Sequence, residues 1–426
     1  MIHLPANKYM LLPSLMRNES ISLDELIHIQ NTKLKRLIHH AYKNVEFYQK
    51  TFKRLKIRPE DIRSVEDLKQ LPIIDKKVFH QGDMGKFLDK RCRNRDHLIN
   101  IKTSGTSGTT LSFYIDRKYD QYRKANYLRP YLSNGRKITD TILRFSIFEK
   151  PKKKWFQHIG LMREECMDSS EDIDKQIRCI QKLHPSIIQG YGATLSLIAS
   201  KISSENIEIT PPRMVFTDSE LLTSLMRQKI QAGFKAPIID VYGTFETDNI
   251  AYQCSMKKGY HIAMDSVVLE IVKDGKNVKD GQEGEIVCTV LDNFSMPFIR
   301  YNLHDMAFQL GGGCSCGRTF PLISLSGGRS DDYLLYPDGQ KKSPMGLLGH
   351  FDALAESISE FQIIQKATDK FDVQIVPISS AHEEIERRVK ENVLKDFPGA
   401  DIRVDFKERI DREKSGKLSS VKSFAK

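Results

Sequence analysis

The sequence predicts an α/β fold, with a large N-terminal domain of helix-flanked sheets followed by a small α+β C-terminal domain. Between about residues 140 and 300, strand-like apolar runs alternate with helical patterns, which is typical of βαβ units and a largely parallel sheet. A glycine-rich polar segment near residue 330 then precedes about a hundred residues of mixed strand and helix pattern. Because 426 residues exceed what one core usually organises, we expect domains at 1–328 and 333–426, joined by a hinge at 329–332.

The individual elements follow from hydrophobic spacing along the chain. Residues 20–56 carry apolar side chains at helical spacing, and Ser64 is a plausible N-cap for a short helix after it. Further predicted helices cover 118–132, 170–183, 193–203, 219–232 and 381–395. Predicted strands cover 98–101, 111–115, 142–145, 186–189, 214–216, 237–241, 361–367, 371–376 and 402–406.

Composition and charge narrow the classes of function. Apolar residues make up 40% of the chain and charged residues 28%, as in soluble globular proteins. The net charge of +11 is spread over separate clusters such as Lys150 to Lys154, which favours solvated faces and an anionic small molecule. Nucleic-acid binding is the less favoured alternative. No apolar run reaches the roughly 20 residues that span a bilayer, and a signal-peptide pattern is missing, so we expect a cytoplasmic protein.

An eight-residue loop of glycine, serine and threonine separates the predicted strands at 98–101 and 111–115. Glycines permit close backbone approach, and backbone N–H groups with hydroxyls suit a bound polyphosphate. A flexible hairpin loop is the alternative, since such clusters often only connect strands. The candidate phosphate-binding residues are Thr103, Ser104, Gly105, Thr106, Ser107, Gly108 and Thr109.

Five further segments follow this loop in order, each at a predicted strand end or domain joint. They are Thr217-Asp218-Ser219-Glu220, Asp240-Val241-Tyr242-Gly243-Thr244-Phe245-Glu246, Arg300-Tyr301-Asn302-Leu303-His304-Asp305, Gly328-Arg329-Ser330-Asp331-Asp332 and Ser415-Gly416-Lys417. With the loop, this order resembles the adenylate-forming superfamily, and within it the phenylacetate–CoA ligase family with its capsule-biosynthesis relatives. The resemblance covers about residues 30–420.

The resemblance implies an ATP-dependent ligase that forms an acyl- or aryl-adenylate and then transfers the acyl group to a thiol. Coenzyme A is the expected thiol, a small carboxylic acid is the expected substrate, and the C-terminal domain is expected to rotate between the two half-reactions. Alternative acceptors are a carrier protein or an amine, and the chain is considered as a homodimer. A degenerate, non-catalytic nucleotide-binding relative is the alternative function.

The resemblance also implies roles for single residues. Glu246 would bind Mg²⁺, which prefers carboxylate oxygens. Tyr242 would stack on adenine, Asp305 would accept hydrogen bonds from the ribose hydroxyls, and Asp331 would be the hinge. The nucleotide-binding set outside the loop is Ser219, Glu220, Asp240, Tyr242, Gly243, Thr244, Asp305 and Arg329.

Lys417 is the lysine that the resemblance assigns to catalysis of adenylation. It would approach the carboxylate and the α-phosphate, and balance negative charge as pyrophosphate departs. Since it would obstruct the thiol in the second half-reaction, its role requires the domain rotation. A solvated lysine in a basic tail is the alternative reading.

Two positions depart from the family pattern. Thr109 stands where the loop normally carries a lysine, which removes a cation beside the phosphates. Phe245 stands where a serine or threonine normally precedes the metal-binding glutamate, and Thr244 could supply the missing hydroxyl. Whether these departures weaken or redirect the activity is a question that the sequence leaves open.

A second constellation predicts a structural metal site. Cys254 and His261 follow Glu246 closely, and Cys314 and Cys316 lie beyond a run of three glycines. Three thiolates and one imidazole form a complete tetrahedral set for Zn²⁺. Unrelated buried thiols are the alternative, and the other cysteines show no disulfide pattern.

The predicted acyl pocket is aromatic and apolar, which suits an aryl or medium-sized hydrophobic acid. The same positions could equally be core packing. The candidate pocket residues are Phe148, Tyr191, Gly192 and Phe245.

Overall fold

The computed structural model describes residues 7–80, 83–92, 94–102, 111–146, 153–329, 333–378, 380–412 and 418–425. The predicted phosphate loop from Thr103 to Thr109, together with Phe148, Asp331 and Lys417, lies outside the described residues, as does the side chain of Arg329. The chain divides into two units, each of two segments: unit 1 holds residues 1–135 and 242–325, and unit 2 holds 136–241 and 326–426. The proposed boundaries at residues 328 and 333 stay a prediction.

The α-helices are α1 (Lys8–Arg17), α2 (Leu23–Asn44), α3 (Glu46–Leu55), α4 (Lys76–His80), α5 (Arg117–Ser133), α6 (Trp155–His158), α7 (Ile173–Leu183), α8 (Gly192–Ser204), α9 (Ser224–Phe234), α10 (Met345–Phe351) and α11 (His382–Asp396). None of the helices in the described part of the chain combines the length and the apolar character that a membrane crossing requires.

The early strands are β1 (Leu98–Lys102), β2 (Ser112–Asp116), β3 (Ile142–Phe145), β4 (Glu164–Met167), β5 (Ile187–Gly190), β6 (Met214–Asp218) and β7 (Ile238–Thr244). The middle strands are β8 (Asp248–Gln253), β9 (Tyr260–Ile262), β10 (Val267–Lys273), β11 (Lys276–Asn277), β12 (Glu283–Val290), β13 (Tyr301–Leu310) and β14 (Leu322–Arg329). The last strands are β15 (Leu334–Leu335), β16 (Lys341–Lys342), β17 (Ile358–Ala367), β18 (Lys370–Pro377), β19 (Asp401–Phe406) and β20 (Val421–Ser423).

The helix predicted over 20–56 is divided into α2 and α3. Ser22 caps α2, since its hydroxyl accepts a hydrogen bond from the backbone of Glu25 and the Glu25 carboxylate accepts one from the backbone of Ser22. Between the two helices Val45 adopts an extended conformation and forms a β-bridge with Asp89. The break therefore depends on a partner distant in sequence, which helical periodicity does not reveal.

Unit 2 contains the predicted parallel sheet, with the strand order β4-β3-β5-β6-β7. Helix α7 begins after its N-cap Asp172, three residues later than predicted. Helix α9 begins at Ser224 rather than at residue 219, because Thr223 caps it and Ser219 has a left-handed φ of 69°. The alternation of strand and helix is thus confirmed up to β7.

After β7 the chain changes to antiparallel pairing, and the prediction of parallel strands up to about residue 300 is wrong. The pairs β8–β9, β9–β14, β10–β11, β10–β12 and β12–β13 are all antiparallel. No helix separates β8 from β13, and a parallel connection needs such a crossover, so consecutive strands return as hairpins instead.

The C-terminal part of unit 2 is the predicted compact α+β structure. Its sheet has the order β19-β18-β17-β20, with an antiparallel β17–β18 pair and parallel edges. Helices α10 and α11 pack there through a buried core that includes Phe351, Phe371, Val389 and Val393. Unit 1 has its own larger core, formed by residues of α2 and α3 together with strands β2, β10, β12 and β13.

Candidate active site and metal centre

The phosphate-loop prediction is framed by an antiparallel hairpin of β1 and β2. Lys102 pairs with Ser112 at the end next to the loop, and Phe113 and Ile115 are fully buried on β2. The hairpin is what alternating apolar residues on both flanks predict. Both readings of the loop, as phosphate cradle and as simple connection, remain predictions.

The turn that carries Glu246 has a tightly fixed backbone. A Cβ added to Gly243 would lie 2.2 Å from the carbonyl oxygen of Asp248, so only glycine fits at this position. The hydroxyl of Thr244 lies 2.9 Å from that of Thr247 and accepts a hydrogen bond from the Thr247 backbone. The turn therefore holds Glu246 at a defined place between β7 and β8.

Strand β13 brings two motif residues into contact with this turn. The Tyr242 hydroxyl donates a hydrogen bond of 2.8 Å to Asp305 Oδ2. The Tyr301 hydroxyl donates one of 3.3 Å to Glu246 Oε1. The predicted base-stacking, ribose-binding and magnesium-binding residues thus lie on adjoining segments of unit 1. Tyr301 belongs to the motif at residues 300–305, but its position in the sequence does not indicate a contact with Glu246.

Phe245 packs against the large hydrophobic core of unit 1. Its carbonyl oxygen accepts a hydrogen bond of 3.2 Å from Arg123 Nη2. Phe245 therefore contributes to the packing of unit 1. The acyl-pocket assignment stays a prediction.

The carboxyl ends of the parallel strands in unit 2 carry a second group of polar side chains. The Thr217 hydroxyl donates a hydrogen bond of 2.5 Å to Asp240 Oδ1, and both residues are buried. Gln189 Nε2 donates one of 2.6 Å to Asp218 Oδ2. Ligands of open α/β sheets bind at this edge, where the strands end.

Glu220 connects two backbone segments of unit 2. Its Oε1 accepts a hydrogen bond of 2.5 Å from the Ala193 amide at the start of α8, and its Oε2 accepts one of 3.2 Å from the Leu418 amide. Leu418 is buried in a small cluster with Ala193 and Met226. The Glu220 carboxylate thus contacts the residue that follows Lys417, an arrangement that the adenine-pocket prediction did not include.

Tyr191 and Gly192 mark the start of α8 in the same region. Tyr191 is buried, and burial together with the carboxylates of Asp218 and Glu220 raises its pKa to about 12. A Cβ at Gly192 would lie 3.1 Å from Leu222 Cδ1, so a larger side chain would press on the chain before α9. Both positions therefore face packed surroundings that include the predicted nucleotide-binding Glu220.

The four predicted zinc ligands come together in unit 1. Their sulfur and nitrogen atoms all lie within 4.8 Å of one another. Cys254 Sγ is 3.6 Å from Cys314 Sγ, and Cys316 Sγ is 3.4 Å from His261 Nε2. The donor set has the composition of a closed structural zinc site.

The protonation of these groups is consistent with a metal centre. Burial lowers the pKa of His261 to about 4, which keeps the imidazole in the neutral form that binds metals. Burial raises the pKa of Cys254 to about 11, and a bound dication would reverse that shift because coordinated thiols are deprotonated. His261 Nδ1 lies 3.3 Å from the carbonyl oxygen of Phe320, which orients the ring.

The loop with Cys314 and Cys316 is anchored by residues that sequence reasoning missed. Arg318 Nε donates a hydrogen bond of 2.9 Å to Glu19 Oε2, and the Tyr252 hydroxyl donates one of 2.7 Å to Glu19 Oε1. Glu19 and Arg318 are 299 positions apart. No local pattern could have identified this pair.

These arrangements resemble known proteins over much of the chain. A family model described as the CapK C-terminal domain matches residues 334–423. Protein CapK of Staphylococcus aureus is 27% identical over 296 residues, which cover 66% of this chain and 63% of CapK, less than two thirds of its length. Phenylacetate-coenzyme A ligase of Aromatoleum evansii is 28% identical over 333 residues, 74% of this chain and 73% of the ligase.

The fold is also that of a solved ligase. A crystal structure of 2-hydroxyisobutyryl-CoA ligase in the postadenylation state, in complex with R3-HIB-AMP, has a TM-score of 0.80 and 17% identity, with 96% of this chain and 91% of that chain covered. Such low identity establishes the adenylate-forming α/β fold alone. The sequence relatives and the C-terminal family model together support the predicted resemblance to the phenylacetate–CoA ligase and CapK family.

Proposed function

We propose that the protein is an ATP-dependent, AMP-forming acid–thiol ligase. It forms an acyl- or aryl-adenylate with release of pyrophosphate and then transfers the acyl group to coenzyme A. Similarity to this family supports the reaction class, since several relatives are named phenylacetate-coenzyme A ligases. The alternative is a nucleotide-binding relative without catalysis, for which the substitutions at Thr109 and Phe245 are the motivation.

One observation carries the proposal: the contact between Tyr242 and Asp305 at 2.8 Å, beside the contact between Glu246 and Tyr301. Residues 63 positions apart are held together where the motifs require a nucleotide. The Asp305 carboxylate is an acceptor that suits ribose hydroxyls. The Tyr242 ring, fixed through its hydroxyl, is expected to stack on the adenine base.

We expect separate groups to stabilise negative charge on the two sides of the bond between the α- and β-phosphates. The loop from Thr103 to Thr109 would offer backbone N–H groups to the β- and γ-phosphates. Lys417 would stabilise the negative charge that develops between the carboxylate and the α-phosphate. With threonine rather than lysine at 109, the loop would rely on its amides and hydroxyls.

We expect one binding site for Mg²⁺ and one for Zn²⁺. The Glu246 carboxylate, oriented by the Tyr301 hydroxyl, would hold Mg²⁺, which would neutralise phosphate charge. Cys254, His261, Cys314 and Cys316 would hold a structural Zn²⁺, because a complete set of soft donors is already clustered. The zinc would fix the loop after β13 and take no part in the reaction.

The proposed acid is aryl or medium-sized and hydrophobic, and Tyr191 with Phe245 supports that class. Coenzyme A is the proposed acceptor, with a carrier-protein thiol or an amine as alternatives. The predicted homodimer can be tested by measuring the molecular mass in solution with size-exclusion chromatography.

The test is pyrophosphate release from ATP across a library of carboxylic acids, followed by product analysis with coenzyme A. Lys417→Ala is expected to lower adenylation by orders of magnitude and to leave thioester formation from preformed adenylate largely intact. Lys407→Ala, at an exposed lysine of the same region, is the matched control and should behave like the wild type. ATP binding without pyrophosphate release for any acid would establish the non-catalytic alternative. Equal loss in both half-reactions would contradict the role of Lys417.

A further inference from the structure

Three large apolar side chains of unit 2 protrude into solvent near the edge strand β4. The exposed fraction is 76% for Trp155, 65% for Ile159 and 59% for Ile138. Trp155 is the single tryptophan of the chain. An exposed tryptophan is unusual, because this residue is highly buried on average.

Backbone hydrogen bonds hold together the chain segments that carry these residues. The Met162 amide donates a hydrogen bond of 2.6 Å to the Ile138 carbonyl, and the Leu161 amide donates one of 3.0 Å to Phe156. The turn after α6 is therefore fastened to the segment that precedes β3. We call Ile138, Trp155 and Ile159, with the exposed lysines beside them, the Trp155 tip.

The rim of the Trp155 tip is basic. Lys137, Lys153 and Lys154 are exposed beside the apolar side chains. The acidic side chains of β4 already have cationic partners. Glu165 pairs with Lys153 at 2.6 Å and with Arg163 at 3.0 Å, and Glu164 lies 3.4 Å from Arg136. The apolar side chains thus have exposed positive charge beside them.

The protruding shape of the Trp155 tip favours a lipid bilayer over a protein as its binding partner. Side chains that are more than half exposed stand out from the surface and line no groove, so a protein partner would need preformed pockets to receive them. A bilayer surface deforms around such groups. Tryptophan concentrates at the membrane–water interface, where its ring is apolar and its N–H stays hydrated. Lysines around it are attracted by anionic headgroups.

We propose that the Trp155 tip docks reversibly on an anionic lipid bilayer. Ile138, Trp155 and Ile159 enter the interfacial layer, and Lys137, Lys153 and Lys154 remain at headgroup level. Binding rests on a few side chains and on charge, so it is weak and sensitive to salt. This inference is independent of the ligase reaction, and either can fail without the other.

The test uses the full-length protein and the fluorescence of Trp155, which reports only on the tip. Vesicles of equal parts phosphatidylcholine and phosphatidylglycerol should shift the emission to shorter wavelength and sediment the protein. Pure phosphatidylcholine vesicles should do neither, and added salt should reverse both effects. Because each basic residue near an anionic leaflet contributes about five-fold to partitioning, Lys137→Glu with Lys154→Glu should weaken sedimentation by about 25-fold or more.

Two further variants distinguish binding through the Trp155 tip from non-specific adsorption of exposed apolar side chains. Trp155→Ala with Ile159→Ala should abolish sedimentation, whereas Phe424→Ala, at a side chain that is also 65% exposed but lies elsewhere, should leave it unchanged. All substituted side chains are exposed, so thermal stability should not change. The proposal is overturned if anionic vesicles cause no shift, if Phe424→Ala weakens binding equally, or if only polyglutamate causes the shift. The last result would assign the tip to an acidic protein.

Discussion

Glu220 accepts a hydrogen bond of 3.2 Å from the backbone amide of Leu418, the residue that follows Lys417 in the chain. The other oxygen of the same carboxylate accepts from Ala193 at 2.5 Å. One side chain therefore ties the start of α8 to the segment that carries the proposed catalytic lysine. We therefore expect Glu220 to contribute to adenylation beyond shaping an adenine pocket.

Replacing Glu220 by alanine is expected to slow adenylation by about ten- to hundred-fold, the worth of one or two hydrogen bonds to a charged group. Thioester formation from preformed adenylate should change much less, since Lys417 has no role in that step. Glu220→Gln keeps one acceptor oxygen and should recover part of the rate. Pyrophosphate release and thioester formation, measured separately, check this. Equal loss in both steps would reduce Glu220 to a structural residue.

Tyr242→Phe removes the hydroxyl that holds Asp305 while it keeps the aromatic ring. The KM for ATP is expected to rise by about ten-fold, because the ring and the carboxylate lose a charge-assisted hydrogen bond. The KM for the acid should stay near its original value. Tyr42→Phe, at a partly buried tyrosine of the same unit, serves as the control. An unchanged KM for ATP in a stable Tyr242→Phe protein would argue against nucleotide binding there.

Asp248 gives a prediction for the pH dependence of stability. Burial raises its pKa from 3.8 to about 6, while the nearby Arg123 opposes the shift. The folded protein thus holds a proton that the unfolded chain releases between pH 3.8 and 6, so this residue's contribution weakens as pH rises through that window. Above pH 6, Asp248→Asn should increase the free energy of unfolding by up to about 3 kcal/mol.

This gain should disappear below about pH 3, where Asp248 is neutral in both states. Asparagine also tolerates the left-handed φ of 61° at this position. Urea unfolding of both proteins at several pH values provides the measurement. A gain that is the same at every pH would show that the carboxyl group is not the cause.

Metal analysis of the purified protein is expected to find about one equivalent of zinc. Cys316→Ser should remove most of it and lower the thermal midpoint by roughly 5 °C or more, since the closed site anchors a long loop. Cys179→Ser, at a half-buried cysteine on α7 outside the cluster, is the control. Less than half an equivalent in the wild type would refute the zinc site.

The sequence was most informative where structure depends on near neighbours. Helix α11 and strands β17 to β19 lie within three residues of their predicted bounds, because hydrophobic period and flanking turns are local signals. The cysteine–histidine set was predicted because its donor chemistry is specific, although His261 and Cys316 are 55 positions apart.

The features that the sequence did not predict depend on contacts between residues that are far apart in the chain. Val45 ends α2 because it meets Asp89, and the Glu220 carboxylate meets a backbone amide 198 positions away. The antiparallel order after β7 depends on which strands find each other, which apolar runs alone do not encode. The contact of Tyr301 with Glu246 belongs to the same class.

The contact between Glu19 and Arg318 has a consequence for how the chain is made. Glu19 leaves the ribosome 299 residues before its partner, and at about 5–20 residues per second it waits roughly 15–60 s. Unit 1 is interrupted by residues 136–241, so its first segment must remain unaggregated while part of another unit is synthesised. The anchor of the cysteine loop is therefore among the last contacts of unit 1 that synthesis permits.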